Sequence, residues 1–401
     1  ICDGRTFIAG ADISEFGGER KGANLPDVQA LIEGSPKPVV AAIHGTALGG
    51  GLEVALCAHY RIAVPSAKCG LPEVNLGLLP GAGGTQRLPR IVGVEKALDL
   101  ICFGTHVPAE ECLDDGLVDE LAAEGNLRAD AVAYAKRIAE EGRALVRIRD
   151  QNDKLVADQT VFDAFRAANA KKFRGFEAPE AIIQCIEAAV TMDFDAGLAR
   201  ERELFTGLVS GRQSAAQRYV FFAERQVWKI PDVPRDTEVI PIAKVGVIGA
   251  GTMGGGITMN FVNAGIPVTL VETTQEALDR GLGVVKANYD RSASRGRFSP
   301  AEVDERMGLI TPSLAIEDLA DVDLVVEAVF ERMDVKKDIF AKLDSICRPG
   351  AVLATNTSAL DIDEIAGATS RPESVVGMHF FSPANVMRLV EVVRADKTSI
   401  P

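Results

Sequence analysis

The sequence predicts an α/β protein in three zones: stacked βα units over residues 1–125, a mostly helical zone over 126–241, and a doubly wound parallel sheet over 242–401. Three observations carry this. Short apolar runs alternate with glycine-rich turns in the first zone. Glycine thins out and apolar residues recur at helical spacing in the second. From Ile242 onward, apolar strand-like runs alternate with helical stretches, the order of a parallel sheet covered on both faces.

In the first zone the predicted strands are residues 6–9, 38–43 and 60–64. In the second, AVAYAKRIAEEGRALVRI (131–148) and DAFRAANAKKF (163–173) repeat apolar positions at helical spacing. Residues 229–241, KIPDVPRDTEVIP, carry three prolines among charges and read as an exposed linker. The third zone then runs strand 244–248, helix 253–264, strand 267–272, a long charged helical stretch, strand 324–328, a helix, and strand 351–355. A chain of 401 residues can form two or three domains that each bury a core.

The net charge of −14 argues against nucleic acid or an anionic membrane as a partner. Seven cysteines (Cys2, Cys57, Cys69, Cys102, Cys112, Cys185, Cys347) fall without CxxC pairs or metal-ligand spacing, so they read as reduced, mostly buried thiols and no metal site is expected. The most apolar stretch, residues 38–58, is interrupted by His44, the glycines at 49–51 and Glu53, and fails as a membrane span. With no secretion signal read, a cytoplasmic bacterial setting is the first expectation and a peroxisomal one the alternative. The chain opens at Ile1 without methionine and closes at Pro401 without a final helix, which leads to the expectation of a fragment.

KVGVIGAGTMGGGI (244–257) sets Gly249, Gly251 and Gly254 as GxGxxG after an apolar strand and at the mouth of a helix. The first two glycines let the backbone turn tightly and approach a pyrophosphate, which a helix N-terminus stabilises. Glu272 ends the next strand, where a carboxylate accepts from the adenosine ribose and repels a 2′-phosphate, so the expected cofactor is NAD rather than NADP. A hydride acceptor needs a partner that takes the hydroxyl proton, and histidine suits that task near neutrality. His379, in VVGMHFFSPANVMRLVEVV (375–393), is followed by Glu391, which can fix its tautomer; Ser358, in ATNTSALDIDEIA (354–366), can hold a substrate oxygen. Against this stand plainer readings: His379 as a satisfied core histidine, and Ser358 as a helix N-cap with Asp361 as its capping-box partner.

The runs NTSALDIDEIA and GMHFFSPANVMRLVEV together resemble the 3-hydroxyacyl-CoA dehydrogenase family over essentially all of 242–401. The resemblance implies a Rossmann sheet, His379 as general base, Glu391 as its orienting partner, Ser358 as donor to the substrate oxygen, and Glu331, Lys336 and Asn356 near the nicotinamide end of NAD.

A second chemistry is legible in residues 45–90, where Glu53 follows the glycines at 49–51 and Glu73 precedes LGLLPGAGG. Adding water to a double bond conjugated to a thioester takes one group to activate water, one to protonate the carbon next to the carbonyl, and fixed donors for the enolate oxygen. Two carboxylates share the proton work if their environments separate their pKa values, and main-chain N–H groups at glycine-rich turns serve as donors. Taken singly, each glutamate also fits a surface residue that complements a helix start; His44 and His59 read as structural. FIAGADISEF (7–16), GGGLEVAL and PEVNLGLLPGAGGTQRLPR resemble the crotonase, or enoyl-CoA hydratase, family over about 1–125. That implies a partial crotonase-type spiral of ββα units, an oxyanion hole from the backbone N–H of Ala11 and Gly50, and Glu53 and Glu73 as the acid/base pair.

The order of crotonase-like part, helical zone and dehydrogenase-like part resembles the multifunctional β-oxidation enzymes of the peroxisomal type 1 kind and their bacterial relatives. The implied sequence is trans-2-enoyl-CoA to (3S)-3-hydroxyacyl-CoA to 3-ketoacyl-CoA, on acyl-CoA thioester substrates. A Δ3,Δ2-enoyl-CoA isomerase fused to a dehydrogenase, and a non-catalytic acyl-CoA or NAD-binding scaffold, stay open beside it, and a thiolase partner is compatible with it.

Overall fold

The structure, a computed structural model, describes residues 1–13 and 24–400, so residues 14–16 of the FIAGADISEF run lie outside it. The chain divides into two compact units, Ile1–Ile230 and Pro231–Pro401.

In the first unit, β1 (Val40–Ile43) passes through His44 and Gly45 into β2 (Thr46–Leu48), followed by a helix over Gly50–Ala55. The corner requires glycine: Gly45 has φ +61°, and a Cβ there would lie 2.5 Å from the Arg5 carbonyl oxygen. The chain repeats the pattern with β3 (Tyr60–Ala63), β4 (Lys68–Gly70) and a 3₁₀ turn over Glu73–Leu76. β3 lies parallel to β1 and β4 parallel to β2, so each winding lays one strand in each of two sheets. β5 (His106–Pro108) then joins β4 antiparallel and β6 (Glu120–Leu121) joins β3 parallel. This is the expected spiral of ββα units.

The run 6–9, expected as a strand, forms a single bridge, Ile8 with Ala47. Its backbone bonds to β2 and the preceding corner are Phe7 N–H to His44 O and Leu48 N–H to Ile8 O, and the Thr6 hydroxyl bonds Thr46. Gly10, with φ +110°, turns the chain away before another rung forms.

Five helices follow: Leu127–Glu140, Gln159–Phe173, Ala178–Thr191, Phe194–Val209 and Arg212–Gln226. The continuous helix expected over 131–148 stops at Glu140, because Gly142 (φ +62°) and Arg143 send their N–H groups back to Ala139 O and Ile138 O, a Schellman ending. Tyr134, Ile138, Ile182, Ile183 and Ile186 are buried in the same core as Ile43, Leu56 and Ile62. The cysteines are free thiols, all buried except half-buried Cys2.

The second unit is built on a sheet of β7 (Val245–Ile248), β8 (Val268–Val271), β9 (Ile310–Ser313), β10 (Leu324–Glu327), β11 (Val352–Thr355), β12 (Val375–Phe380) and β13 (Val390–Arg394). Their order across the sheet is β13-β12-β11-β10-β7-β8-β9, all parallel except β13 against β12. β7, β8 and β10 are buried along their whole length, which is why they read as mostly apolar runs, broken only by Thr269 and Glu327. One face packs Ile257, Val285 and Tyr289, the other Phe340, Leu343 and Ile365. Among the described residues no helix is long and apolar enough to cross a membrane.

Candidate active sites

In the first unit the geometry converges on Gly49 and Gly50. Gly49 has φ +52°, and a Cβ on it would sit 2.6 Å from Glu73 Oε1; a Cβ on Gly50 would sit 3.9 Å from the Ala11 nitrogen and 4.0 Å from Glu53 Oε2. Ala11, Gly50, Glu53 and Glu73, four residues singled out from the sequence, are thereby brought around one turn. The Gly50 N–H opens its helix, a position for which a helix supplies no acceptor of its own.

The two carboxylates differ in surroundings. Glu53 is 2% exposed, and its Oε1 accepts from the N–H of Ala82 at 2.7 Å and of Gly84 at 2.8 Å. Burial pushes its pKa up, while these two N–H groups and the guanidiniums of Arg87 and Arg202 pull it back; the balance stays above the ordinary value. Glu73 has a buried Oε2 with no hydrogen-bond partner. Burial, then the charge of Glu53, hold its pKa well above the ordinary value, and Glu201 adds to the effect. The helix-start reading of these two glutamates as surface residues does not describe them, since neither is exposed.

Glu201 escaped sequence reading. It lies on the helix Phe194–Val209, is 1% exposed, and accepts from Gly83 N–H at 2.7 Å and from the Thr85 hydroxyl at 2.5 Å. In LARERELF it looks like one more solvated charge. The only cue was its position on the apolar side of that helix, three residues after Leu198 and three before Leu204. His59 is buried and accepts from Val39 N–H through Nδ1, and His44 Nε2 bonds the Gly4 carbonyl.

In the second unit the carboxyl ends of the parallel strands form the site. β7 leads outward to β8 and β9, whereas β10 lies on its other side, so the chain reverses direction across the sheet between β7 and β10. Such a switch point opens a crevice for a ligand. Gly249 follows β7 with φ +99°, and a Cβ on it would lie 2.6 Å from the Ala328 carbonyl oxygen beyond β10. Gly251 is the N-cap of the helix Thr252–Asn263 and has no side chain to cover its N–H groups. A Cβ on Gly254 would lie 1.7 Å from the Gly249 carbonyl oxygen, so helix and turn close together only with glycine there. Glu272 follows β8 directly and stands half-buried. A bare, glycine-lined helix start with a carboxylate at the next strand end fits a dinucleotide.

His379 and Glu391 face each other across the β12–β13 pair, His379 Nδ1 bonding Glu391 Oε2 at 2.8 Å. A carboxylate on Nδ1 makes that nitrogen the N–H donor and leaves Nε2 as the basic atom. Phe380 N–H donates to Asn356 Oδ1 at 2.9 Å, which ties the residue after His379 to the end of β11, two positions before Ser358. Ser358 is exposed and is not a helix cap; Asp361 caps the helix Ile362–Ala366 itself, accepting from the N–H of Asp363 and Glu364. Glu331 accepts from the Thr357 hydroxyl, the Ser358 N–H and Lys336; burial raises its pKa, but these partners hold it below the ordinary value. Lys336 is 1% exposed, and its Nζ bonds both oxygens of fully buried Glu327 at 2.8 and 2.9 Å. Glu327, which sequence reading missed behind an apolar strand, also accepts from Val329 N–H and the Thr355 hydroxyl.

Comparison with known proteins gives matches to two family models. The enoyl-CoA hydratase/isomerase model matches residues 2–222, and the 3-hydroxyacyl-CoA dehydrogenase, NAD binding domain, matches residues 244–400. The chain is 44% identical over 406 residues to the peroxisomal bifunctional enzyme of Danio rerio, covering 100% of this chain and 55% of that protein. It is 38% identical over 408 residues to the peroxisomal fatty acid beta-oxidation multifunctional protein MFP2 of Arabidopsis thaliana, covering 98% and 56%. The solved structure of 3-hydroxybutyryl-CoA dehydrogenase from Escherichia coli is 40% identical over 40% of this chain and 34% of that one, with a TM-score of 0.39. The chain thus spans about half the length of the curated relatives it matches.

Proposed function

The chain belongs to the enoyl-CoA hydratase/isomerase family, carries a 3-hydroxyacyl-CoA dehydrogenase NAD-binding domain behind it, and on that footing we propose that it performs two successive steps of fatty acid β-oxidation. The first adds water to a trans-2-enoyl-CoA, and the second oxidises the resulting (3S)-3-hydroxyacyl-CoA to the 3-ketoacyl-CoA. The three sequence zones, 1–125, 126–241 and 242–401, serve in this reading as hydratase domain, helical zone and NAD-binding domain.

The observation that carries the hydration step is the contrast between two buried carboxylates beside one glycine turn. Glu53, served by two backbone N–H groups and two guanidiniums, is the better carboxylate and takes a proton from water, whose oxygen bonds to the β-carbon. Glu73, without a partner on its buried oxygen, is held protonated and delivers its proton to the α-carbon. The backbone N–H groups of Ala11 and Gly50 hold the enolate oxygen, fixed before the reaction begins.

In the second step NAD supplies the hydride acceptor. The chain's residues handle the proton: Nε2 of His379 takes it from the hydroxyl, and Glu391 on Nδ1 holds the ring and balances the imidazolium charge. Ser358 donates to the substrate oxygen. Gly249, Gly251, Gly254 and Glu272 hold the pyrophosphate and ribose, Glu331 and Asn356 border the nicotinamide end, and Lys336 acts there through Glu331.

The peroxisomal names of the relatives support the peroxisomal setting over the cytoplasmic one, and imaging of the tagged full-length protein checks it. A thiolase is the partner whose chemistry consumes the 3-ketoacyl product. The test of the whole reading is single replacement of Glu53 and Glu73 by glutamine in the full-length protein. Both variants should lose hydration; loss in one alone, with migration of a 3,4 double bond intact, favours the isomerase reading. NAD affinity without turnover on either substrate supports a scaffold.

A further inference from the structure

The backbone N–H groups of Ala82, Gly83, Gly84 and Thr85 are taken alternately by two buried carboxylates. Glu53 Oε1 accepts from Ala82 at 2.7 Å and Gly84 at 2.8 Å; Glu201 accepts from Gly83 at 2.7 Å and Thr85 at 3.2 Å, and from the Thr85 hydroxyl at 2.5 Å. These groups open the helix Gly84–Val92, whose N-cap Gly83 has no side chain to serve them. A helix start leaves its first N–H groups without acceptors and favours negative charge, so both carboxylates are drawn to one spot. Glu201 reaches it because Gly197, one turn earlier on the same helix, lets the backbone close in: a Cβ there would lie 2.2 Å from Gln86 Oε1.

We infer that Glu201 is a positioning residue of the hydration site, fixing the loop beneath Glu53 and, once ionised, setting its charge against Glu73; the inference rests on the hydration reading above. The groups that face it are Glu53, Glu73, the Thr85 hydroxyl, Arg87 and Cys185, while Arg202 acts on Glu53. Arg87, whose charge acts on both Glu53 and Glu201, is already bound by buried Glu33 at 3.0 Å. Three buried acids therefore share too little positive charge for all to ionise together. Burial, then the charge of Glu53, push Glu201 up to about 8, which places its ionisation within reach of a neutral-pH assay.

The test uses the full-length protein and the pH dependence of hydration kcat/KM, with NAD-dependent oxidation of (3S)-3-hydroxyacyl-CoA as a readout of folded protein. Glu201→Gln keeps the shape and removes the charge. The alkaline limb, where Glu73 loses its proton, should then move to lower pH by about one unit because a nearby negative charge is gone, whereas the acid limb, set by Glu53 while Glu201 is still protonated, should stay. Thr85→Val, which withdraws one hydrogen bond from Glu201 and leaves every carboxylate in place, should move the alkaline limb the same way by less, and it decides the matter if the glutamine variant does not fold. An alkaline limb that stays at its wild-type pH, whether the rate is unchanged or falls equally at every pH, overturns the inference and leaves Glu201 a structural cap. A wild-type protein that does not hydrate overturns the hydration reading, and the inference with it.

Discussion

Replacing Glu73 by glutamine separates catalysis from stability in a way that few other roles for this residue would. The residue is half-buried, its carboxylate Oε2 is buried without a partner, and its pKa stands well above the ordinary 4.5. An acid whose folded pKa is raised contributes stability that is complete below the unfolded value and lost as pH rises toward the folded one. Between those two values the unfolded chain has released the proton and the folded chain has not, so wild-type stability falls by about 1.4 kcal/mol per pH unit relative to Glu73→Gln. The slope persists up to the folded value and is absent from Glu73→Gln, whose amide does not titrate. Catalysis moves the other way: an amide cannot deliver a proton to the α-carbon, and hydration should fall about 10²- to 10⁴-fold. Urea unfolding at several pH values and the decay of the enoyl thioester chromophore read the two effects. Unfolding curves for variant and wild type that keep a constant separation from pH 5 to 7 would refute the protonated Glu73, as would a variant that hydrates at the wild-type rate.

Glu391→Gln weakens the charge-assisted bond to His379 Nδ1. With Glu391 half exposed the loss is about 1 kcal/mol, so dehydrogenation kcat/KM should drop roughly fivefold while hydration is unchanged, and assays of each half-reaction decide it. Gly49→Ala sets a Cβ 2.6 Å from Glu73 Oε1 at φ +52°. Hydration should fall together with a stability loss of about 1–3 kcal/mol, read by activity and Tm. Lys336→Met strands the buried Glu327 carboxylate and should cost about 3–5 kcal/mol in denaturant unfolding, with much of it recovered when Glu327→Gln is added.

Much of both candidate sites was legible because their residues fall in local patterns. Glycines at 249, 251 and 254 lie on one turn and its helix, and Glu272 at the next strand end follows from the βαβ unit alone. His379 and Glu391, 12 residues apart, meet because two neighbouring antiparallel strands place them opposite each other. What escaped depends on long-range packing. Glu201 and Glu53 are 148 residues apart and share one loop only after the helix Phe194–Val209 docks. Glu327 ends an apolar strand and meets Lys336 one helix turn into the next element, a pairing that charge patterning along either element does not show. β9 was missed because Ile310–Ser313 carries Pro312, which a strand tolerates at the sheet edge it occupies. Residues 6–9 went the other way: their β-branched and aromatic residues suit a strand, but Gly10 redirects the chain after one bridge.

The central claim is that one polypeptide hydrates an enoyl thioester and then oxidises the alcohol. The full-length protein, given a medium-chain trans-2-enoyl-CoA without NAD and then with it, tests this most directly. Loss of the conjugated double bond before NAD is added, followed by NADH formation on its addition, is the expected result. An unchanged double bond, with NADH formed only from supplied 3-hydroxyacyl-CoA, would contradict it.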